Sequence, residues 1–126
     1  MDKLEYINGD VVMYGNKIMV IKEPREEEHF DLLWDNWIIY SYINIEEINP
    51  IFLTHEILEK NGWKKDGKWY KLTTKRAYLY ITKDTKSNDE FLVCVGKEKY
   101  NLASVSFTHE LQHLLFGLGL NSEMEV

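Results

Sequence analysis

The chain has 126 residues, 44% of them hydrophobic and 29% charged, with two prolines and seven glycines, which is the composition of one folded domain and excludes a disordered or low-complexity chain. Fifteen Lys and Arg against 21 Asp and Glu leave a net charge of −6, so the average surface repels phosphate backbones and generic nucleic-acid binding is disfavoured. No window approaches the roughly 18 uncharged apolar residues of a membrane span, and Met1-Asp2-Lys3-Leu4-Glu5 begins no apolar run of signal-peptide length, so neither a membrane partner nor secretion is expected.

In chain order, residues 10–14 and 17–22 read as two strands joined at Gly15-Asn16, a tight hairpin turn. An acidic loop follows over 23–28. Residues 30–49 are rich in Trp, Ile and Tyr, and Trp37-Ile38-Ile39-Tyr40-Ser41-Tyr42-Ile43 favours extended structure. Several short strands with small connections predict a curled, SH3-like sheet. Asn49-Pro50 interrupts that pattern, because the residue before proline is driven out of the helical region. Thr54 then caps a short helix over 55–61 with Ile57 and Leu58 inward, and Gly62 ends it by supplying a left-handed conformation.

Three β-rich runs come next, 69–73, 77–83 and 91–96, separated by Asp66-Gly67, by Lys75-Arg76 and by a polar loop over 84–90; they predict an antiparallel meander. Cys94 lies in the last run and is the single cysteine. No intrachain disulfide is then available, and the thiol reads as a small buried hydrophobe of a reducing compartment. From 102 to 118 the period changes: Phe107, Leu111, Leu114 and Leu118 form the stripe of an amphipathic helix that covers the second sheet. The predicted fold is α+β, an SH3-like β-portion over 1–49 followed by an α-β-β-β-α portion over 50–126, packed as one unit.

His109-Glu110-Leu111-Gln112-His113 matches the H-E-x-x-H pattern in which two histidines one helical turn apart bind zinc and the glutamate activates a water. If the chain were a metallohydrolase, His109 and His113 would be the ligands and Glu110 the base. Three features argue against it. Position 119, where an extended pattern wants histidine, is Gly119, and Glu123 and Glu125 fall in a tail expected to fray. On a helical wheel the pair sits at roughly 200° and 240° from Phe107, away from the stripe. The remaining candidates for a third ligand, His29, His55 and Glu56, cannot be placed near His109 from sequence. No phosphate-cradling glycine loop and no nucleophile elbow is present, so no cofactor and no enzymatic activity are expected.

The run Ile48-Asn49-Pro50-Ile51-Phe52-Leu53-Thr54-His55-Glu56-Ile57-Leu58-Glu59-Lys60-Asn61-Gly62-Trp63 resembles the I-x-P-I-P-L-T-x-E-I-L-x-x-x-G-F segment of a family of short Bacteroidetes phage and prophage proteins. Residues 106–118 are similar to that family's closing Y-V-H-Q-L-Q-N-L-Y-F-A-L-T-G helix, and residues 9–48 to its small β-domain. The chain departs at Phe52, where the family has a second proline, and at Gly117-Leu118-Gly119. It also departs at Glu110 and His113, where the family pattern has Gln and Asn. The resemblance therefore implies no inherited metal site. It implies a phage origin and a cytoplasmic life in the bacterial host, where small non-enzymatic proteins bind host factors.

The expected function is binding, with a host protein or a small nucleotide as partner and counter-defence as the role. Seventeen aromatic residues support it. Trp63, Trp69 and Tyr70 adjoin Lys64, Lys65 and Arg76, a set that would hold a nucleotide by stacking and phosphate pairing. The alternatives are a virion or assembly component that self-associates through its terminal helix, and the zinc hydrolase.

Overall fold

The structure is a computed structural model that describes residues 5–83 and 90–126. Its first half is a five-stranded antiparallel sheet of β1 (Val11–Tyr14), β2 (Lys17–Pro24), β3 (His29–Trp34), β4 (Ile38–Asn44) and β5 (Ile48–Pro50), in the order β4-β3-β2-β1-β5. A single 3-10 turn, Ile45–Glu47, precedes β5. The expected hairpin is present, with Tyr14 opposite Lys17 across the Gly15-Asn16 turn. Strand alternation turns Met19 and Ile21 of β2 and Phe30 and Leu32 of β3 inward, where they join Tyr6, Val12 and Ile48 in a first core.

The sheet is open, with β4 and β5 at its two edges, and no closed barrel forms among the described residues. It also runs past the expected boundary at 49, because β5 pairs with β1 through Ile48, Asn49 and Pro50. Proline is tolerated there because β5 is an edge strand and Pro50 is its last residue.

The second half begins with α1 (His55–Lys60), and its start is the expected one: Thr54 Oγ1 accepts the Ile57 N–H at 3.2 Å. Gly62, at φ +89°, then turns the chain into the second sheet. That sheet is β6 (Lys64–Asp66), β7 (Trp69–Thr73), β8 (Tyr78–Lys83), β9 (Phe91–Val95) and β10 (Tyr100–Val105), antiparallel in the order β10-β9-β8-β7-β6. The three expected strands are its centre, and β6 and β10 extend it on either side. Most of the expected loop over 84–90 lies outside the described residues.

The terminal helix α2 (Thr108–Gly117) starts later than the apolar spacing suggested. Residues 102–105 belong to β10, paired with β9 through Ala103↔Val93 and Ser104↔Leu92. Ladder pairing claims 102–105, and the helix begins beside Phe107, the first residue of the apolar stripe. Leu111 and Leu115 of α2 meet Leu58, Leu79, Ile81 and Val93 in the second core. Leu58, Leu79, Ile81, Val93 and Leu111 are each fully buried, worth about 1.5–3 kcal/mol apiece for the larger side chains.

The tail after α2 does not fray. Leu118, Leu120, Met124 and Val126 pack on the second core, and the Asn61 side-chain amide exchanges two hydrogen bonds with the Glu125 backbone, both 2.8 Å. The halves are joined by the polar side of α2 against β1, while the connection from β5 to α1 is tied to the start of α2 by a bridge between Phe52 and Phe107 and by the Thr108 N–H donating to the Ile51 carbonyl at 2.7 Å. Among the described residues, no helix is long and apolar enough to cross a membrane.

Candidate functional site

The H-E-x-x-H residues lie on α2; Glu110, Gln112 and His113 take hydrogen-bond partners within the fold, and His109 packs among aromatic rings. Glu110, at the third helical position, accepts the Ser106 and Phe107 N–H groups on Oε1, both at 2.8 Å, and so caps the helix from inside. His113 Nε2 donates to Asp10 Oδ2 at 2.7 Å, and the same oxygen accepts the Ile7 N–H at 2.8 Å. His109 is 2% exposed, with its ring centroid 5.0 Å from Tyr6 and 5.9 Å from Phe107. The pair does point away from the second core, as the wheel required. It points not to solvent but into the first half.

Gln112, between the histidines, makes two bonds across that joint and a third to the tail. It accepts from Val11 N–H at 2.9 Å and donates to the carbonyls of Gly9 at 2.9 Å and Ser122 at 3.0 Å. Burial governs the electrostatics here. The Asp10 carboxyl is pushed up by burial against smaller downward pulls from the Ile7 N–H and His113, while the Tyr6 hydroxyl is pushed up to about 12 by burial and by Asp10. His109 is pushed down to about 4 by burial and by His113, against a smaller upward pull from Glu110.

The Tyr6 hydroxyl, Thr108 Oγ1 and His109 Nδ1 are buried here without a hydrogen-bond partner among the described residues. His29 stacks on Tyr42 at 4.1 Å and His55 on Tyr70 at 5.1 Å, each in other company. Among the described residues, no three His, Cys, Asp or Glu side chains gather as metal ligands.

The second candidate is the face of the second sheet turned away from α2. Alternation places Trp69 and Lys71 of β7 beside Tyr78 and Tyr80 of β8 there, with Lys71 opposite Tyr80. Trp69 meets Tyr80 edge to face at 6.2 Å. Three ammonium groups lie over these rings: Lys71 Nζ 4.5 Å from Tyr78 and 5.7 Å from Tyr80, Lys99 Nζ 4.5 Å from Tyr80 and 5.7 Å from Trp69, and Lys68 Nζ 5.8 Å from Trp69. Lys99 reaches this position from the β9–β10 turn with φ +55°, an uncommon conformation for a residue with a side chain.

On the adjoining edge, Lys64 of β6 lies directly opposite Lys71, a like-charge pair that costs stability. Among the described residues, Lys64, Lys65, Lys68, Lys71 and Lys99 have no carboxylate at ion-pair distance; Arg25 with Asp31 and His113 with Asp10 pair elsewhere. Residues 60–76 hold seven cations against one carboxylate, +6, which leaves −12 on the rest of the chain. This segment is the basic stretch of an acidic protein; of its charges Lys64, Lys68 and Lys71 border the aromatic face, with Asp66 opposite Trp69.

The six residues singled out by sequence are thus divided by strand alternation and by burial. Trp63 and Tyr70 are 2% and 7% exposed and belong to the second core, while Tyr80, 6% exposed, is as deeply covered on the opposite face of the sheet. Trp69 stands on the basic face, with Lys64 and Lys65 on the adjoining edge. Arg76 lies around the corner in the β7–β8 turn. Tyr78, Tyr80, Lys71 and Lys99 complete the face and were not singled out. The alternation Tyr78-Leu79-Tyr80-Ile81 carried the signal for two of them, whereas no local pattern brings Lys99 across two strands to Tyr80.

Comparison with protein-family models, with curated proteins and with solved structures finds no match to this chain.

Proposed function

We propose that the chain is a non-enzymatic binding protein of phage origin, acting in the bacterial cytoplasm as a counter-defence factor that takes up a small anionic nucleotide on the basic aromatic face of its second sheet. The observation that carries this reading is the set of lysines 68, 71 and 99 over the rings of Trp69, Tyr78 and Tyr80 with no carboxylate partner among the described residues. Lysines on an edge strand serve solubility, but that purpose asks for charge at β6, not over the aromatic face of β7 and β8. Cations beside the exposed Tyr78 and the half-buried Trp69, with Tyr80 buried beneath them, suit a ligand that is both planar and phosphorylated. In this reading the first sheet is an SH3-like scaffold, supported by its 3-10 turn before β5 and the return of β5 to β1.

A host protein is the second reading, favoured by Trp37, 76% exposed at the β3–β4 turn, next to Ile39 at 51%, since aromatic anchors dominate protein interfaces.

Isothermal titration with mono-, di-, cyclic and cyclic-di-nucleotides separates the two. The nucleotide reading expects saturable heat for at least one class, weakened at least tenfold in Lys71→Glu and by added salt. Flat heats across the panel reject it.

A further inference from the structure

We propose that the cleft between the β7–β8 turn and the C-terminal tail is a second binding site, for a small organic anion with an apolar body and a carboxylate or phosphate head held by Arg76. The cleft encloses about 500 Å³, within the size range of small-molecule pockets. Its floor is Trp63, Leu72 and Leu115, and its outer wall is Leu120 and Met124 of the tail. Trp63 is 2% exposed, too little ring surface to stack a base, which suits an aliphatic body better.

Arg76 is placed deliberately at the mouth. Thr74 Oγ1 accepts the N–H groups of Arg76 at 3.2 Å and Ala77 at 2.9 Å, fixing the turn. The guanidinium lies over Gly119, so close that an added Cβ would sit 3.1 Å from Nη1, and Gly119 itself has φ +74°. A side chain at 119 would be strained by that φ and would press on the head group. Lys75 adjoins it, and Glu123, the carboxylate that lines the cleft, forms no ion pair with Arg76 among the described residues. A guanidinium carried on a fixed turn, with no ion pair among the described residues and above an apolar floor, matches the head of an anionic amphiphile.

The wall is part of the chain, and this ties occupancy to tail order. Residues 119–126 are held by Asn61 through Glu125 and by Gln112 through Ser122. A ligand against Leu120 and Met124 therefore binds the docked tail in preference to a released one, and stabilises it by that difference. The site shares no side chain with the nucleotide face and stands or falls separately from it.

The test is isothermal titration with decanoate, octyl phosphate and decanol, with hydrogen exchange of residues 119–126 read alongside. Both anions are expected to bind at least tenfold more tightly than decanol and to slow exchange in the tail. Arg76→Ala, at an exposed position, is expected to lose that preference and Arg76→Lys to keep part of it. Equal affinity for decanol and decanoate, unchanged decanoate binding in Arg76→Ala, or no binding of either anion would overturn the proposal. Thermal melts of each variant show that the fold is kept.

Discussion

The polar side of α2 and the outer face of the second sheet carry similar chemistry and use it in opposite ways. On α2, Glu110, Gln112 and His113 turn inward and are consumed by the fold, through the helix cap, β1 and Asp10. On the second sheet, Lys68, Lys71 and Lys99 stand over aromatic rings with no carboxylate among the described residues to neutralise them. A motif whose groups are satisfied from within holds a structure together. A cluster left unneutralised, at some cost in cross-strand repulsion between Lys64 and Lys71, is available to something else.

Four measurements sharpen that contrast or break it, beginning with the largest effect. Gln112→Leu removes two bonds across the joint and one to the tail, and strands the Val11 N–H and Gly9 carbonyl. A loss of about 3 kcal/mol is expected in urea unfolding, and a loss below about 1 would show that the joint is not held by α2.

The second is pH. His109 has its pKa lowered from 6.5 to about 4 in the fold, so between those values the unfolded chain takes up a proton that the folded chain refuses. Stability present above pH 6.5 is then lost as pH falls towards 4, by up to about 3 kcal/mol. Asp10, whose pKa is raised by burial, works in the opposite sense and offsets part of the loss at the acid end. Denaturation across pH 4–7 is expected to slope accordingly, and His109→Gln to flatten the slope whatever its absolute stability.

Third, Glu110→Gln keeps a carbonyl oxygen for the Ser106 and Phe107 N–H groups and is expected to cost about 1 kcal/mol, with melting unchanged by added zinc in either form. Zinc-dependent stabilisation of the parent chain, lost in the variant, would restore the motif as a metal site. Smallest of all, Lys71→Glu relieves the pairing with Lys64 but gives up the contacts with Tyr78 and Tyr80. Its net stability change is expected within about 0.5 kcal/mol of zero, while nucleotide affinity falls tenfold or more. Equal loss of both would make Lys71 a structural residue.

What was legible in the sequence was local. The Gly15-Asn16 hairpin, the Thr54 cap and the Gly62 stop are set by residues within four positions of one another. Strand β10 was hidden because the helix whose stripe starts at Phe107 was extended back to 102, and only pairing with β9 shows that 102–105 belong to a strand. The surroundings of His109 and His113 were hidden more deeply, since Asp10 and Gln112 reach across 103 and 101 residues of chain to their partners. The binding set was partly legible: the basic run around Trp69 marked the face, but burial withdrew Trp63 and Tyr70, and Lys99 arrives only through the fold.

The most direct test is backbone NMR shift mapping during titration with the best nucleotide of the panel. Perturbations are expected at residues 68–71, 78–80 and 99, with the amides of His109 and His113 unmoved. Shifts centred on α2, or none at saturating nucleotide, would contradict the assignment of the basic face as the site and α2 as framework.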